Sequence, residues 1–146
     1  MEIIDFLYAD EQLFTTITLF ILIALLIGNI VTDKLKKYTD IDANAATSLM
    51  DDDNLIILDV REDKERKSGY IDNDLHIPLS DVKNQLSQLD KNKSILVYCA
   101  SGSRSAHIAG LLTRNAYENV YSLKGGFKAW KRAKLPITTQ SKKTKK

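Results

Sequence analysis

The chain has 146 residues, with 21 basic and 19 acidic side chains, one Cys and two Pro. That length holds one domain and a small extra segment, and a single Cys excludes both an intramolecular disulfide framework and a Cys-cluster zinc site. A net charge of +2 is too small for a nucleic-acid binder, and 44% hydrophobic with 27% charged residues excludes a wholly disordered chain.

The charge is unevenly placed. Residues 1–32 contain Glu2, Asp5, Asp10 and Glu11 and no Lys or Arg. Residues 33–146 hold 21 basic and 15 acidic side chains, a net of +6. After the short acidic start at 1–12, residues 13–32 are uncharged and nearly continuous in Leu, Ile and Phe. A bilayer core about 30 Å thick needs about 20 such residues in a helix. A cleaved signal peptide would have a basic start, a shorter apolar core and a small-residue cleavage site. Here the start is acidic, the core is long, and Lys34, Lys36 and Lys37 follow directly. The pattern predicts a retained transmembrane helix. Cytoplasmic flanks carry the excess of Lys and Arg, so the N-terminus is expected outside and the remainder in the cytoplasm. A cytoplasmic domain would keep the lone Cys reduced. Thr15, Thr16, Gly28 and Asn29 offer a helix-packing face.

Residues 33–40 read as a polar linker. A domain is expected over 41–137. Asp42 caps a short helix at 43–50. Asp51, Asp52 and Asp53 form a solvated turn. Leu55, Ile56, Ile57 and Leu58 make a buried strand that ends at Asp59. Residues 62–68 look like a charged surface helix stopped by Gly69. His76, Ile77 and Pro78 are extended. Ser80 caps a helix to about Leu89. Residues 94–98 and 119–123 are further strands, residues 104–115 a helix, and Gly125 and Gly126 a turn before a last helix at 127–132. Strands alternating with helices predict an α/β domain with a mainly parallel central sheet flanked by helices. The tail at 138–146 is expected to be basic and disordered, with four Lys and no acid after Ser141. It offers attraction to anionic lipid.

The chemistry concentrates after the strand at 94–98. Cys99 follows it directly. Ala100, Ser101, Gly102 and Ser103 form a small-residue loop, and Arg104 opens the next helix. Loop amides and a helix N-terminus aimed at the Cys sulfur make an anion site without a metal. Such a site, with Arg104 beside it, favours thiolate over thiol. It suits nucleophilic catalysis through a covalent intermediate, with no cofactor. The opposing reading of Cys99 is an inert buried thiol. His76 and His107 have no spacing that pairs them with Cys99 and read as structural.

Over about residues 41–136 the domain resembles the rhodanese family of single-domain sulfurtransferases. Three blocks carry the resemblance. Leu58-Asp59-Val60-Arg61-Glu62 precedes Ser68-Gly69-Tyr70-Ile71 and His76-Ile77-Pro78-Leu79. Tyr98-Cys99 runs through to Arg104-Ser105. Gly125-Gly126-Phe127, Trp130 and Leu135-Pro136 close the domain. Tyr70, Asp74, His76 and Lys134 depart from the family pattern. They lie outside the loop and are expected to alter what docks nearby.

The resemblance implies a membrane-anchored sulfurtransferase or persulfide carrier. Cys99 would carry the sulfur, and residues 100–104 would cradle it. Asp59 and Arg61 would stand near the loop, Asp59 orienting structure and Arg61 pairing with it or meeting substrate. A purely structural Asp59–Arg61 salt bridge is the alternative. The partners implied are a small anionic sulfur donor such as thiosulfate, a thiol or cyanide acceptor, and lipid around the anchor, with room for a membrane protein partner. Four residues separate Cys99 from Arg104. Related cell-cycle phosphatases carry one more, so the short loop fits sulfur rather than phosphate. The acidic-out, basic-in anchor resembles that of a bacterial inner membrane protein. The competing function is a membrane-tethered binding module with the same fold and little catalysis.

Overall fold

A 33-residue helix precedes a five-stranded parallel sheet. A computed structural model describes residues 2–34 and 36–139, so the basic tail expected beyond them, from residue 140 onward, lies outside the described residues. The chain divides into two units, Met1–Lys36 and Lys37–Lys146.

The first unit is helix α1, Glu2–Lys34. Its stretch Gln12–Val31 has a mean hydropathy of 2.4 and is exposed along its whole length. Twenty residues of helix span about 30 Å, the thickness of a hydrocarbon core. Leu13, Phe14, Phe20, Leu25 and Leu26 are all exposed, so the apolar surface is not confined to one buried face. The hydroxyls of Thr15 and Thr16 donate to the Gln12 carbonyl at 2.9 and 2.6 Å, and that of Thr18 to Phe14 at 2.8 Å. These groups are therefore satisfied within the helix itself. Among the described residues this is one helix long and apolar enough to cross a membrane.

The second unit contains strands β1 (Thr39–Ile41), β2 (Leu55–Asp59), β3 (Leu75–His76), β4 (Ser94–Tyr98) and β5 (Val120–Leu123). Their order in the sheet is β1-β5-β4-β2-β3, and every pairing is parallel. The central register sets Asp59 beside Tyr98, Leu58 beside Val97 and Val97 beside Ser122. Helix α2 (Ala43–Leu49) starts at Asp42, whose carboxylate accepts from the Ala45 amide at 2.8 Å. Helix α3 (Asp63–Arg66) is one turn held by a reciprocal Glu62–Glu65 capping box. Helix α4 (Val82–Gln85) runs into a 3₁₀ turn at Leu86–Gln88. Helix α5 (Ser103–Arg114) and helix α6 (Gly126–Arg132) complete the domain.

Strand alternation divides the core into two layers. Ile95, Val97 and Cys99 pack with Ile108, Ala109 and Leu112 of α5 and with Val82 of α4. Leu96 and Tyr98 point the other way, to Ala43 and Ala46 of α2 and Phe127 and Trp130 of α6. Both sheet faces are covered, which is why β2 and β4 read as continuous apolar runs.

The edges differ from the sequence expectation. Residues 39–40, expected in the linker, pair as β1 with β5. Their side chains are exposed, so they carry no apolar signal. Ser80 does not cap α4: its hydroxyl donates to Asp81 at 3.0 Å, and Asp81 holds the cap position. The helix expected to reach Leu89 tightens to 3₁₀ instead. Thr138, expected in the tail, forms an antiparallel bridge with Tyr70, each donating its amide to the other's carbonyl at 2.8 Å.

Candidate active site

The C-terminal ends of β2, β4 and β5 gather the residues singled out from the sequence. From β2 the chain moves to β3 on one side, and from β4 to β5 on the other. The crevice between β2 and β4 is thus the switch point at which open parallel sheets bind ligands. Asp59 ends β2, and Cys99 follows β4.

Cys99 is fully buried at the base of its loop. The Gly102 amide donates to Sγ at 3.1 Å, and Ser105 Oγ lies 3.7 Å from Sγ. Gly102 has φ +99° and is the residue from which α5 starts. That left-handed turn folds the loop back so that its amides face the sulfur. Ser105 is fixed in turn. Its hydroxyl donates to the Gly102 carbonyl at 3.0 Å and accepts from Ser122 at 3.1 Å. Burial pushes the Cys99 thiol up, but hydrogen bonds from the amides of Ser105, Ser101 and Gly102, with the contact to the Ser105 hydroxyl as the smallest contribution, outweigh it. The net shift is below the ordinary thiol value, toward thiolate.

Helix α6 braces the loop from behind. Phe127 donates its amide to the Cys99 carbonyl at 2.7 Å, and Lys128 donates to Ala100 at 3.1 Å. Gly126, at φ +58°, lies against the same backbone: a Cβ there would stand 2.4 Å from the Cys99 oxygen.

Arg104 stands at the rim. Its guanidinium donates to both oxygens of Glu65, at 2.7 and 2.6 Å. Those bonds hold the Glu65 carboxyl at about 2 and raise Arg104. Arg104 therefore links the Cys99 helix to α3, and the pair stays partly exposed.

Asp59 and Arg61 lie beneath this rim. Arg61 Nη2 donates to Asp59 Oδ2 at 2.8 Å and to the Gly69 carbonyl at 2.9 Å. The guanidinium also packs on the Phe127 ring, 4.1 Å from its centre. Both side chains are essentially buried, at 1% and 0% exposure. Burial raises the Asp59 carboxyl, but Arg61 more than reverses it and the net shift is downward. The two side chains form a buried salt bridge beside the loop.

Three departures from the family pattern fall in one neighbourhood, and two share a network. Asp74 is paired with Arg66 at 2.6 Å and hydrogen-bonded to the Tyr98 hydroxyl. Arg66 also reaches Asp59 at 2.9 Å and packs over the Tyr70 ring at 4.1 Å. Two cations thus balance two carboxylates around Tyr98. Asp74 is buried and faces inward, so it is not the docking determinant expected from its position. Residues 62–68 are likewise not a plain surface helix: Glu65 and Arg66 point into the site. His76 is structural, with Nε2 2.7 Å from the Arg61 carbonyl. His107 is exposed on α5.

Two depressions flank the braced loop. A smaller one of about 180 Å³ is lined by Arg61, Glu65, Ala100, Phe127, Lys128 and Lys131. A larger one of about 520 Å³ is lined by Ser101, Gly125, Lys128, Lys131 and Arg132.

Glu65, Ser105 and Ser122 were not singled out from the sequence. Ser105 sits inside the loop motif, and Glu65 follows Arg61 by four residues. Ser122 becomes visible only through the β4–β5 register.

The comparisons agree with this geometry. The rhodanese-like domain profile matches residues 42–133. A sulfurtransferase of Allochromatium vinosum is 31% identical over 99 residues, covering 67% of this chain and 92% of that protein. The thiosulfate sulfurtransferase GlpE of Vibrio cholerae is 32% identical over 100 residues, covering 68% and 94%. Among solved structures, a rhodanese-related protein of Thermoplasma volcanium superposes with a TM-score of 0.66 at 29% identity, covering 70% of this chain and all of that one. The chain belongs to the rhodanese-like family, whose fold occupies its second unit.

Proposed function

We propose that this protein is a membrane-anchored sulfurtransferase that carries sulfane sulfur on Cys99. The observation that carries the reading is the Cys99 sulfur facing the Gly102 amide at 3.1 Å at the start of α5. The arrangement favours an anion at the sulfur before and after loading. The relatives named thiosulfate sulfurtransferase support the same chemistry.

The Cys99 thiolate attacks the outer sulfur of thiosulfate. A Cys99 S–S bond forms, the sulfur–sulfur bond of the donor breaks, and sulfite leaves with the bonding pair. Loading therefore leaves a Cys99 persulfide anion, held by the amides of residues 100–104. An acceptor thiolate or cyanide then attacks the outer sulfur. Cys99 leaves as thiolate, and the acceptor departs as persulfide or thiocyanate. No proton is needed at the sulfur, and no base stands beside Cys99 among the described residues. Arg104 keeps the cradle in shape through Glu65. Asp59 and Arg61 support it from below.

The anchor reading extends this. Gln12–Val31 spans the bilayer, with the acidic start outside and Lys34, Lys36 and Lys37 inside. Sulfur transfer then takes place at the cytoplasmic face of a bacterial inner membrane, with the tail drawn to lipid.

Intact mass of the full chain in detergent tests both parts. Thiosulfate should add one sulfur, cyanide should remove it, and Cys99→Ser should stay unmodified. The same spectrum from membranes should show the N-terminal segment retained. No gain of sulfur from thiosulfate, mercaptopyruvate or a glutathione persulfide would leave a tethered binding module as the function.

A further inference from the structure

Residues 119–146 contain no Asp or Glu. In the fold, three bases of this segment, Lys128, Lys131 and Arg132, line the depression of about 520 Å³ beside the Cys99 loop. All three are exposed, and among the described residues none has a carboxylate within ion-pair distance. By contrast, Arg61, Arg66 and Arg104 are all paired. The bases around Cys99 thus fall into two sets. One set is neutralised and structural. The other faces solvent around a concavity.

The concavity borders the loop that follows Cys99. Ser101 of the Cys99 loop forms one wall, and Gly125 forms another. The Lys128 amide is bonded to Ala100 at 3.1 Å, so its side chain begins one residue from Cys99. The volume lies within the range of small-molecule sites and far exceeds what thiosulfate fills. Three uncompensated cations in a concave wall concentrate anions.

We infer that the groove of Lys128, Lys131 and Arg132 binds the body of a polyanionic low-molecular-weight thiol, which is the sulfur acceptor. Such a thiol carries two or more carboxylates or phosphates remote from its sulfur. This rests on the persulfide reading of Cys99. The anionic groups sit against the three bases, and the thiolate reaches past Ser101 to the Cys99 persulfide. The thiolate attacks the outer sulfur, a new S–S bond forms on the thiol, and the Cys99–sulfur bond breaks with its pair returning to Cys99. The acceptor leaves as its persulfide. An acidic protein surface is the competing occupant, and the burial of Cys99 at the base of its loop favours a thiol small enough to enter.

The test uses the full chain in detergent. Cys99 is loaded with thiosulfate, and discharge is followed by intact mass with glutathione, coenzyme A or neutral 2-mercaptoethanol. Glutathione carries carboxylates and coenzyme A carries phosphates, so the two arms separate those chemistries. At least one polyanionic thiol should discharge Cys99 about tenfold faster than the neutral thiol after correction for thiolate fraction, and salt should erase the difference. Arg132→Glu, on an exposed site that lines only the larger groove, should lower that ratio about tenfold. Equal rates for all three thiols, or a ratio indifferent to both salt and Arg132→Glu, would overturn the inference and leave the acidic protein. Equilibrium binding of S-methylglutathione and desulfo-coenzyme A to the unloaded chain reads the groove without sulfur transfer. Saturable, Arg132-dependent binding supports the inference even if loading fails, and that failure would count only against the persulfide reading. No binding of either probe also overturns it.

Discussion

Arg104 on α5 and Glu65 on α3 meet through two hydrogen bonds, at 2.7 and 2.6 Å, across the mouth of the Cys99 loop. The residue that the sequence offers as a substrate cation is thereby committed to another side chain. Its charge still acts on the loop, and the pair ties the first turn of α5 to α3. A partly exposed pair of this kind contributes about 1 kcal/mol to stability, whereas a small displacement of a reacting group is costly in rate.

Glu65→Gln is therefore expected to change the melting temperature little and to slow sulfur loading several-fold. Single-turnover loading by intact mass and thermal unfolding followed at Trp130 separate the two effects. The sign with pH follows from Glu65. Its folded value of about 2 lies below its ordinary 4.5, so its contribution is complete above about pH 4.5 and is lost as pH falls toward 2. A large loss of stability with unchanged loading would contradict this division.

Ser105 controls the thiol through both its amide and its hydroxyl. Ser105→Ala removes the hydroxyl and leaves the amide. The Cys99 thiol should move up toward its ordinary value of 9.0. The pH profile of iodoacetamide alkylation, read at Cys99 as the single Cys of the chain, should then shift to higher pH. Below the wild-type midpoint the variant should react more slowly. The hydroxyl of Ser122 loses its acceptor in the same variant, and a loss of about 1–3 kcal/mol in stability is expected with it.

Gly126 and Gly110 give opposite expectations for the same substitution. At Gly126 a Cβ would meet the Cys99 carbonyl oxygen at 2.4 Å and the Ser101 nitrogen at 2.7 Å, at φ +58°. Neither backbone atom can yield without moving the loop. Gly126→Ala should cost about 2–4 kcal/mol and impair loading. Gly110, inside α5, has only ordinary contacts at 3.6 and 3.8 Å. Gly110→Ala should stabilise by about 0.4–1 kcal/mol. Trp130, the only Trp and nearly buried, reports both by its fluorescence during unfolding.

The central strands were legible because both faces of the sheet are covered, which leaves runs such as Ser94–Tyr98 apolar throughout. The Cys99 loop was legible because small residues and Gly102 are what a tight anion cradle needs. The edges were not. Thr39 and Asp40 pair through backbone alone, and β3 is only two residues long. The charged partners were illegible for a different reason. Glu65 and Arg66 occupy a helix of one turn, and which of its residues face inward depends on the capping box and on Gly69, at φ +115°. Asp74 read as a surface departure because its partners, Arg66 and Tyr98, are 8 and 24 residues away in sequence.

The buried Asp59–Arg61 pair separates a structural from a substrate-binding role. At 1% exposure the Arg61 guanidinium donates through Nε and Nη2 to Asp59 and through Nη2 to the Gly69 carbonyl. Arg61→Met keeps most of the side-chain volume against Phe127 but leaves Arg66 as the one cation shared by Asp59 and Asp74, and should cost about 3–5 kcal/mol. Asp59→Asn should destabilise comparably, because the neutral amide leaves the buried Arg61 guanidinium, which stays charged, without a counter-charge. The pH dependence has a definite sign. The Asp59 carboxyl lies below its ordinary 3.8 in the fold, so the pair's contribution is present above that pH and is lost as pH falls through the folded value. In Arg61→Met this acid-linked part of the loss should shrink, because protonating Asp59 now relieves two buried carboxylates that share the single cation Arg66. Thermal unfolding of both variants between pH 3 and 7 checks it. Thiosulfate loading per folded molecule should be reduced no more than several-fold in Arg61→Met. Loss of all loading from a protein that still unfolds cooperatively would make Arg61 a substrate ligand instead.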